Sequence, residues 1–264
     1  MRALPACLVL LALLLSPVAE AGDTEPAGAD VETLRARHLL RRATFGPGSA
    51  DLEEVKRLGR EAWVDRQLHP ELIPDRAVED RLSGYETLGL TTTGYLDMLE
   101  RGRPAMRPPG PGENRTDAAR KRQREVNRLR NLARREVPAS VLLRAVYSRR
   151  QLEEVLVEFW RNHFNVDVNK DAVRYYLPDW EREVLRKHVL GDFESFLLAT
   201  ARHPAMLFYL DNHVSQAPMA RGEKVLRGKE REGRTDGLNE NYARELMELH
   251  TLGVDNAYDQ DDVI

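Results

Sequence analysis

Residues 237–253 read GLNENYARELMELHTLG and hold three glutamates, two asparagines and an arginine in one predicted helix and the turn before it. At about 100° per residue, Glu240, Thr251, Arg244, Glu248, Asn241 and Glu245 fall, in that order, within about 140° of arc. Leu249, Tyr242, Leu246, His250, Ala243 and Met247 take the opposite side, and Leu252 alone is off-pattern. Two chemistries fit the polar face. Glu240, Arg244 and Glu248 have the i,i+4 spacing of ion pairs, each worth ~0.3–0.5 kcal/mol when exposed, which describes a self-paired, solvated surface. Asn241, Glu245 and Glu248 form a second ladder at spacings of four and three. If that ladder is buried, its carboxylates need partners, because unpaired buried charge is costly. Arginines, a hard cation held by oxygens or a substrate would serve. Glu245 and Glu248 are the candidate catalytic pair, as general acid and base.

Several chemistries are excluded. There is no HExxH and no pair of histidines at i,i+4, so a zinc-hydrolase helix is not supported, and no metal site is predicted. GxSxG, P-loop and dinucleotide fingerprints are absent, and no cofactor is indicated. His250, on the apolar side, reads as a core or rim histidine. Asn162 and His163 close a helix carrying Phe159 and Trp160, where a histidine is explained equally by packing and by the helix C-terminal charge. Asp211 ends another helix, where a carboxylate is electrostatically unfavourable; it either caps the next turn or has a specific partner.

The elements that must position these residues are helical throughout. The N-terminal segment reads as a leader: Arg2, an apolar run at 6–15, and Ala19-Glu20-Ala21 before a cut after Ala21. Ten apolar residues span only ~15 Å, so no transmembrane anchor is expected. Cys7 stands at the start of that run, whereas a lipid-attachment cysteine follows it. Without the leader the chain has no cysteine, hence no disulfide, thiolate site or cysteine nucleophile. A net charge of −3 with 31% charged residues gives no global pull toward nucleic acid or acidic membranes. The reading is therefore an exported protein, periplasmic or extracellular, with a leader at 1–21, a linker at 22–30 and a mainly α domain at 31–264 without substantial sheet.

Helices are expected at 31–43, from Ser49 (as N-cap) to Gly59, and at 61–68, 75–82 and 94–100. Two long polar loops, 101–116 and 213–237, interrupt the order. Between Arg115 and Arg135 there are nine Lys or Arg against two acids, with Val126, Leu129 and Leu132/Ala133 as a thin apolar stripe. That pattern fits a helix at 117–136 lying on the body with its charges in solvent; the alternative is contact with an anionic envelope polymer. A nucleic-acid role is not supported, since interleaved aromatics are missing. Pro138 suits the first turn of a new helix. A helix at 152–164 has Leu152, Val155, Leu156, Phe159, Trp160 and His163 on one side. Pro178-Asp179 opens a helix to Leu190, Asp192 caps the next, and His203-Pro204 restarts the chain into 205–210.

The strings NENYARELMELHTLG (239–253), HLLRRATFG (38–46), FWRNHF (159–164) and HPAMLFYLDN (203–212) resemble, in order, the bacterial domain-of-unknown-function 1800 family. The resemblance implies exported, mostly helical proteins of uncharacterised activity, often encoded beside another exported family, which makes a co-exported protein one implied partner. The matching positions include Asn162, His163, Asp211, Asn212, Asn239, Glu240, Asn241, Arg244, Glu245 and Glu248, and no catalytic role comes with them. His250 stands where an aromatic residue is usual. Family members also continue well past Ile264, which implies a truncated chain whose shared sites and apolar surfaces are incomplete. The leading expectation is a polar site or buried network on the Glu/Asn/Arg face. The alternatives are a hydrolase of an envelope polymer acting through Glu245 and Glu248, and a non-catalytic binding or assembly module using the basic helix at 115–135.

Overall fold

The computed structural model describes residues 30–102, 115–170, 172–215, 239–254 and 258–263, except for the side chains of residues 115, 116, 118 and 122. The expected leader, the expected linker except Asp30, and most of both expected polar loops lie outside these residues. Among the described residues the chain is mainly α, with no strand. In order the helices are α1 Val31–Ala43, α2 Ser49–Leu58, α3 Arg60–Gln67, α4 Arg76–Leu82, α5 Thr92–Gly102, α6 Arg115–Arg130 and α7 Leu132–Tyr147. They continue as α8 Gln151–His163, α9 Val173–Asp179, α10 Phe193–Arg202, α11 Pro204–Tyr209, α12 Glu240–Glu248 and α13 Gln260–Val263. None of the described helices is long and apolar enough to cross a membrane. The helices form two compact units, each built from separated chain segments.

The first unit comprises 30–86, 135–162 and 185–196. Asp30 caps α1 by accepting from the Thr33 amide at 2.8 Å, while Glu32 in the first turn and Arg41 and Arg42 in the last complement the helix dipole. Ala36, Leu39, Leu40 and Ala43 of α1 pack with Val55 of α2, Trp63 and Val64 of α3 and Leu152 of α8. Each large side chain in this cluster contributes ~1.5–3 kcal/mol by leaving water. Gly59, at φ 84°, makes the turn between α2 and α3, a backbone region that strains any side chain. Ser49 is not the cap of α2: it lies inside the helix, and Asp51 accepts from the Gly48 amide instead.

Two side chains fix the start of α8. Gln67 donates to Arg149 O at 2.9 Å and accepts from the Leu152 amide at 3.2 Å. Asp75, buried, accepts from Ser148 Oγ at 2.7 Å and the Arg149 amide at 2.8 Å. The expected face of α8 is kept in part: Leu152 is buried and Leu156 packs on the core, but Phe159 is exposed, and Glu154 and Val157, off that face, are inside. The reason is Arg186, which takes the Glu154 carboxylate with both nitrogens, at 3.0 and 2.6 Å, so that a charge can be buried on that side.

The second unit comprises 87–102, 115–134, 163–184 without 171, 197–215, 239–254 and 258–263. One expected helix at 117–136 is two, broken at Asn131. The fully buried Tyr95 stitches the break: its hydroxyl donates to Leu129 O at 2.8 Å and accepts from the Ala133 amide at 3.2 Å. Pro138 consequently sits inside α7, on its exposed side, and not in a first turn. Pro178 is also interior. The helix containing it begins at Val173, and directly after the proline it widens into a π-helical stretch, Trp180–Arg186. A proline cannot donate to the preceding turn, so one bond of the α ladder is missing there.

Candidate functional site

Asn239 holds the N-terminus of α12 with three contacts. Its side-chain oxygen accepts from the Asn241 amide at 3.0 Å, its Nδ2 donates to Leu210 O at 3.2 Å, and its own amide donates to Ser215 Oγ at 3.0 Å. Ser215 in turn donates to Asn212 Oδ1 at 2.7 Å. Asp211 stands beside them with φ 59°, its carboxylate accepting from Lys170 Nζ at 2.7 Å. Lys170 also donates to Tyr209 O near the end of α11. Three of the sequence candidates, Asp211, Asn212 and Asn239, thus meet in one hydrogen-bonded corner. Lys170 and Ser215, which sequence spacing did not single out, complete it.

The polar face of α12 is half-exposed and not a buried network: Glu240 and Asn241 are exposed, and Arg244, Glu245 and Glu248 are intermediate. The helix ends at Glu248, so both ladders lie within it, while Thr251, expected on the same face, lies beyond its end. Arg244 donates to Glu240 at 3.4 Å and to Gln260, and Gln260 returns a bond to Glu240 at 3.0 Å. Tyr258 donates its hydroxyl to Glu248. Among the described residues the side chains of Glu245 and Asn241 have no partner. The two candidate carboxylates therefore differ: one is held by a phenol and the other is unengaged.

His163 lies with Nε2 3.0 Å from His250 O. A carbonyl oxygen accepts, so that nitrogen carries the proton. His250 is 5% exposed, with its ring 5.2 Å from Phe164. Burial, and secondarily the nearby His163, pushes its imidazole down to about 4. Asn162 is exposed and turns back on its own helix, donating to Glu158 O and to the Glu158 carboxylate.

A family model described as "Protein of unknown function (DUF1800)" matches residues 38–264. The chain belongs to the DUF1800 family. No curated protein and no solved structure gives a match.

This DUF1800 chain also carries a half-buried polar cluster that sequence reasoning missed. In the second unit, Arg182 donates to Asp179 Oδ1 at 2.6 Å, to Glu183 at 2.9 Å and to the carbonyls of Leu88 and Leu90. Thr92 donates to Asp179 Oδ2 at 3.3 Å. His203 caps α11: its Nδ1 accepts from the Ala205 amide at 3.1 Å, which leaves the proton on Nε2. That Nε2 is buried without a hydrogen bond, 3.7 Å from Asp179 Oδ2, too far for one. Burial lowers the His203 pKa, outweighing the attraction of Asp179 and Glu183. With Nδ1 committed to the cap, this imidazole is a donor and not a base. Pro178-Asp179 and His203-Pro204 were legible only as helix boundaries. The available signal was the adjacency of an acid and a histidine to prolines in a helical chain.

Among the described residues of DUF1800 no group of three or more His, Asp or Glu is arranged to hold a metal ion. Glu153, next to the Arg186–Glu154 pair in the first unit, has its pKa raised, burial outweighing the nearby Arg186. Its 4.0 Å separation from Arg186 is a weak contact beside the two-pronged bond to Glu154.

Proposed function

We propose that this chain is an exported protein whose α12 face recognises a hydroxyl-rich envelope or extracellular polymer without changing it covalently. The carrying observation is the pairing pattern. Glu245, half-buried, and Asn241, exposed, offer unengaged acceptors and donors, while Glu240–Arg244–Gln260 and Glu248–Tyr258 brace the helix around them. Carboxylates and amides held on a helix suit hydrogen bonding to sugar hydroxyls, because a rigid element fixes their geometry. The leader-like sequence at 1–21 supports export. Calorimetric titration of the full chain with neutral and acidic polysaccharides tests the reading. Glu245→Gln with Asn241→Ala should weaken binding at least tenfold and leave the fold intact. Unchanged binding overturns it. N-terminal sequencing of the secreted fraction should begin at Gly22; a protein retained in the cell with an intact leader overturns export.

The second reading is a hydrolase, favoured by the unequal surroundings of Glu245 and Glu248. A neighbour that donates to one carboxylate while the other stays unengaged is a way of separating two roles. Release of new reducing ends that is abolished by Glu245→Gln and by Glu248→Gln would establish it. The absence of such release with a polymer that binds would leave recognition alone.

A further inference from the structure

The least neutral part of the molecule is α6. Its sixteen residues carry seven Lys or Arg and two acids, a net +5, whereas the whole chain is −3, so everything outside α6 totals −8. The helix is anchored through its C-terminal turns. Leu129 is its one buried side chain among those described, Val126 is half-buried, and Tyr95 grips the Leu129 carbonyl. On a helical wheel Arg120, Lys121, Arg124 and Arg128 fall within about 100° of arc, on the side away from Val126 and Leu129, with Asp117 the one acid in the same arc, at its N-terminal end. All four side chains are exposed.

A merely solvated helix face lowers its energy by alternating sign at i,i+4. Arg120, Arg124 and Arg128 do the reverse, whereas Lys121 has Asp117 and Glu125 four residues to either side. Arg120, Arg124 and Arg128 follow one another at spacings of four, an arrangement that destabilises the free helix. Arg128 is satisfied by Glu125 at 2.9 Å, and Arg120 meets Asp117 at 3.7 Å. Lys121 and Arg124 make no ion pair among the described residues. From Arg120 to Arg128 the row extends ~12 Å along the axis, with cations about every 6 Å, matching a line of charges better than a single ion.

We infer that α6 docks an anionic polysaccharide, laid along the row Arg120–Lys121–Arg124–Arg128. A lipid surface fits less well, since the basic face has no Trp, Phe or Leu to enter an acyl boundary. A single-stranded nucleic acid lacks stacking partners here, α6 having no aromatic residue. The net −8 of the remaining sequence gives a polyanion no comparable pull elsewhere on average, which favours this helix. The inference goes beyond the α12 reading and uses none of its residues.

The test uses the full chain and dextran sulfate, with uncharged dextran as the blank, titrated at three salt concentrations. Lys121→Gln with Arg124→Gln should weaken binding at least tenfold and reduce the dependence of log Kd on log salt by about two charges. A control pair on the first unit, Arg35→Gln with Lys56→Gln, makes the same change in net charge and should leave affinity within twofold. Circular dichroism checks that each variant keeps its helices, and the single change Arg124→Glu gives a second reading should the pair misfold. Equal weakening by both pairs would make net charge, and not α6, responsible and would overturn the inference. So would tighter binding to duplex DNA or to phosphatidylglycerol vesicles than to dextran sulfate of equal charge.

Discussion

Lys170 Nζ lies 2.7 Å from Asp211 Oδ2, and Asp211 is the non-glycine residue with positive φ among those described. The pair resolves an electrostatic puzzle in the sequence. A carboxylate at the end of α11 faces the negative pole of the helix dipole, and no side-chain cap bond to the next turn compensates it. Lys170 does so, and its second bond, to Tyr209 O, occupies a carbonyl near the helix end. Lys170→Met should therefore lower stability on the order of 1 kcal/mol, the pair being partly solvated, with a Tm drop of ~2–4 °C in thermal denaturation. Asp211→Gly should cost less than Asp211→Val, because glycine accepts φ 59° without strain.

Acid should unfold the protein in a window set by histidine. The His250 imidazole titrates at about 4 when folded, and burial also lowers that of His203; both return to about 6.5 when the chain unfolds. Between those values the unfolded chain binds more protons, so stability falls as pH drops from about 6.5 towards 4. For His250 the full shift corresponds to ~3 kcal/mol at most. Glu153 acts in the opposite sense, since its raised pKa favours the folded state as pH falls. Urea unfolding at pH 7.5, 5.5 and 4.5 measures the slope. His250→Phe should flatten it, and an unchanged slope would remove His250 as its source.

What was legible in the sequence was what local chemistry decides. The range of α1, the caps at Asp192 and Asn239, and the end of α2 at Gly59 follow from side chains acting on their own backbone. The misses come from partners distant in sequence. Asn131 breaks a helix because Tyr95, more than thirty residues earlier, satisfies both ends of the break. Glu154 turns inward because Arg186 meets it. The site was half legible for the same reason: the spacing of α12 located the ladder, while Tyr258 and Gln260, which pair with it, and Lys170 and Ser215, which bond the residues before it, carry no local signal.

The Arg186–Glu154 pair should behave as a buried, two-pronged ion pair. Glu154 is 5% exposed, and the guanidinium reaches both of its oxygens. Arg186→Met leaves that carboxylate without its main partner and should cost ~3–5 kcal/mol. Glu154→Leu made together with Arg186→Met should recover part of the loss, since an apolar pair no longer carries the desolvation penalty. Urea midpoints for the two single variants and the double variant close the cycle. Additive losses would mean that the pair is not coupled.

Tyr95 offers the sharpest separation of hydrogen bonding from packing. Its ring is fully buried and lies edge-on to Tyr175 at 5.7 Å, while its hydroxyl serves the last turn of α6 and the first of α7. Tyr95→Phe keeps the ring and strands one carbonyl and one amide, so it should cost ~1–3 kcal/mol. The loss should also be local. Amide exchange should accelerate around Asn131 to Ala133 well before the core of α1 responds, because the deleted atom holds only that junction. Uniform acceleration throughout the chain would mean that the junction is part of the global folding unit, and that Asn131 breaks the helix by itself.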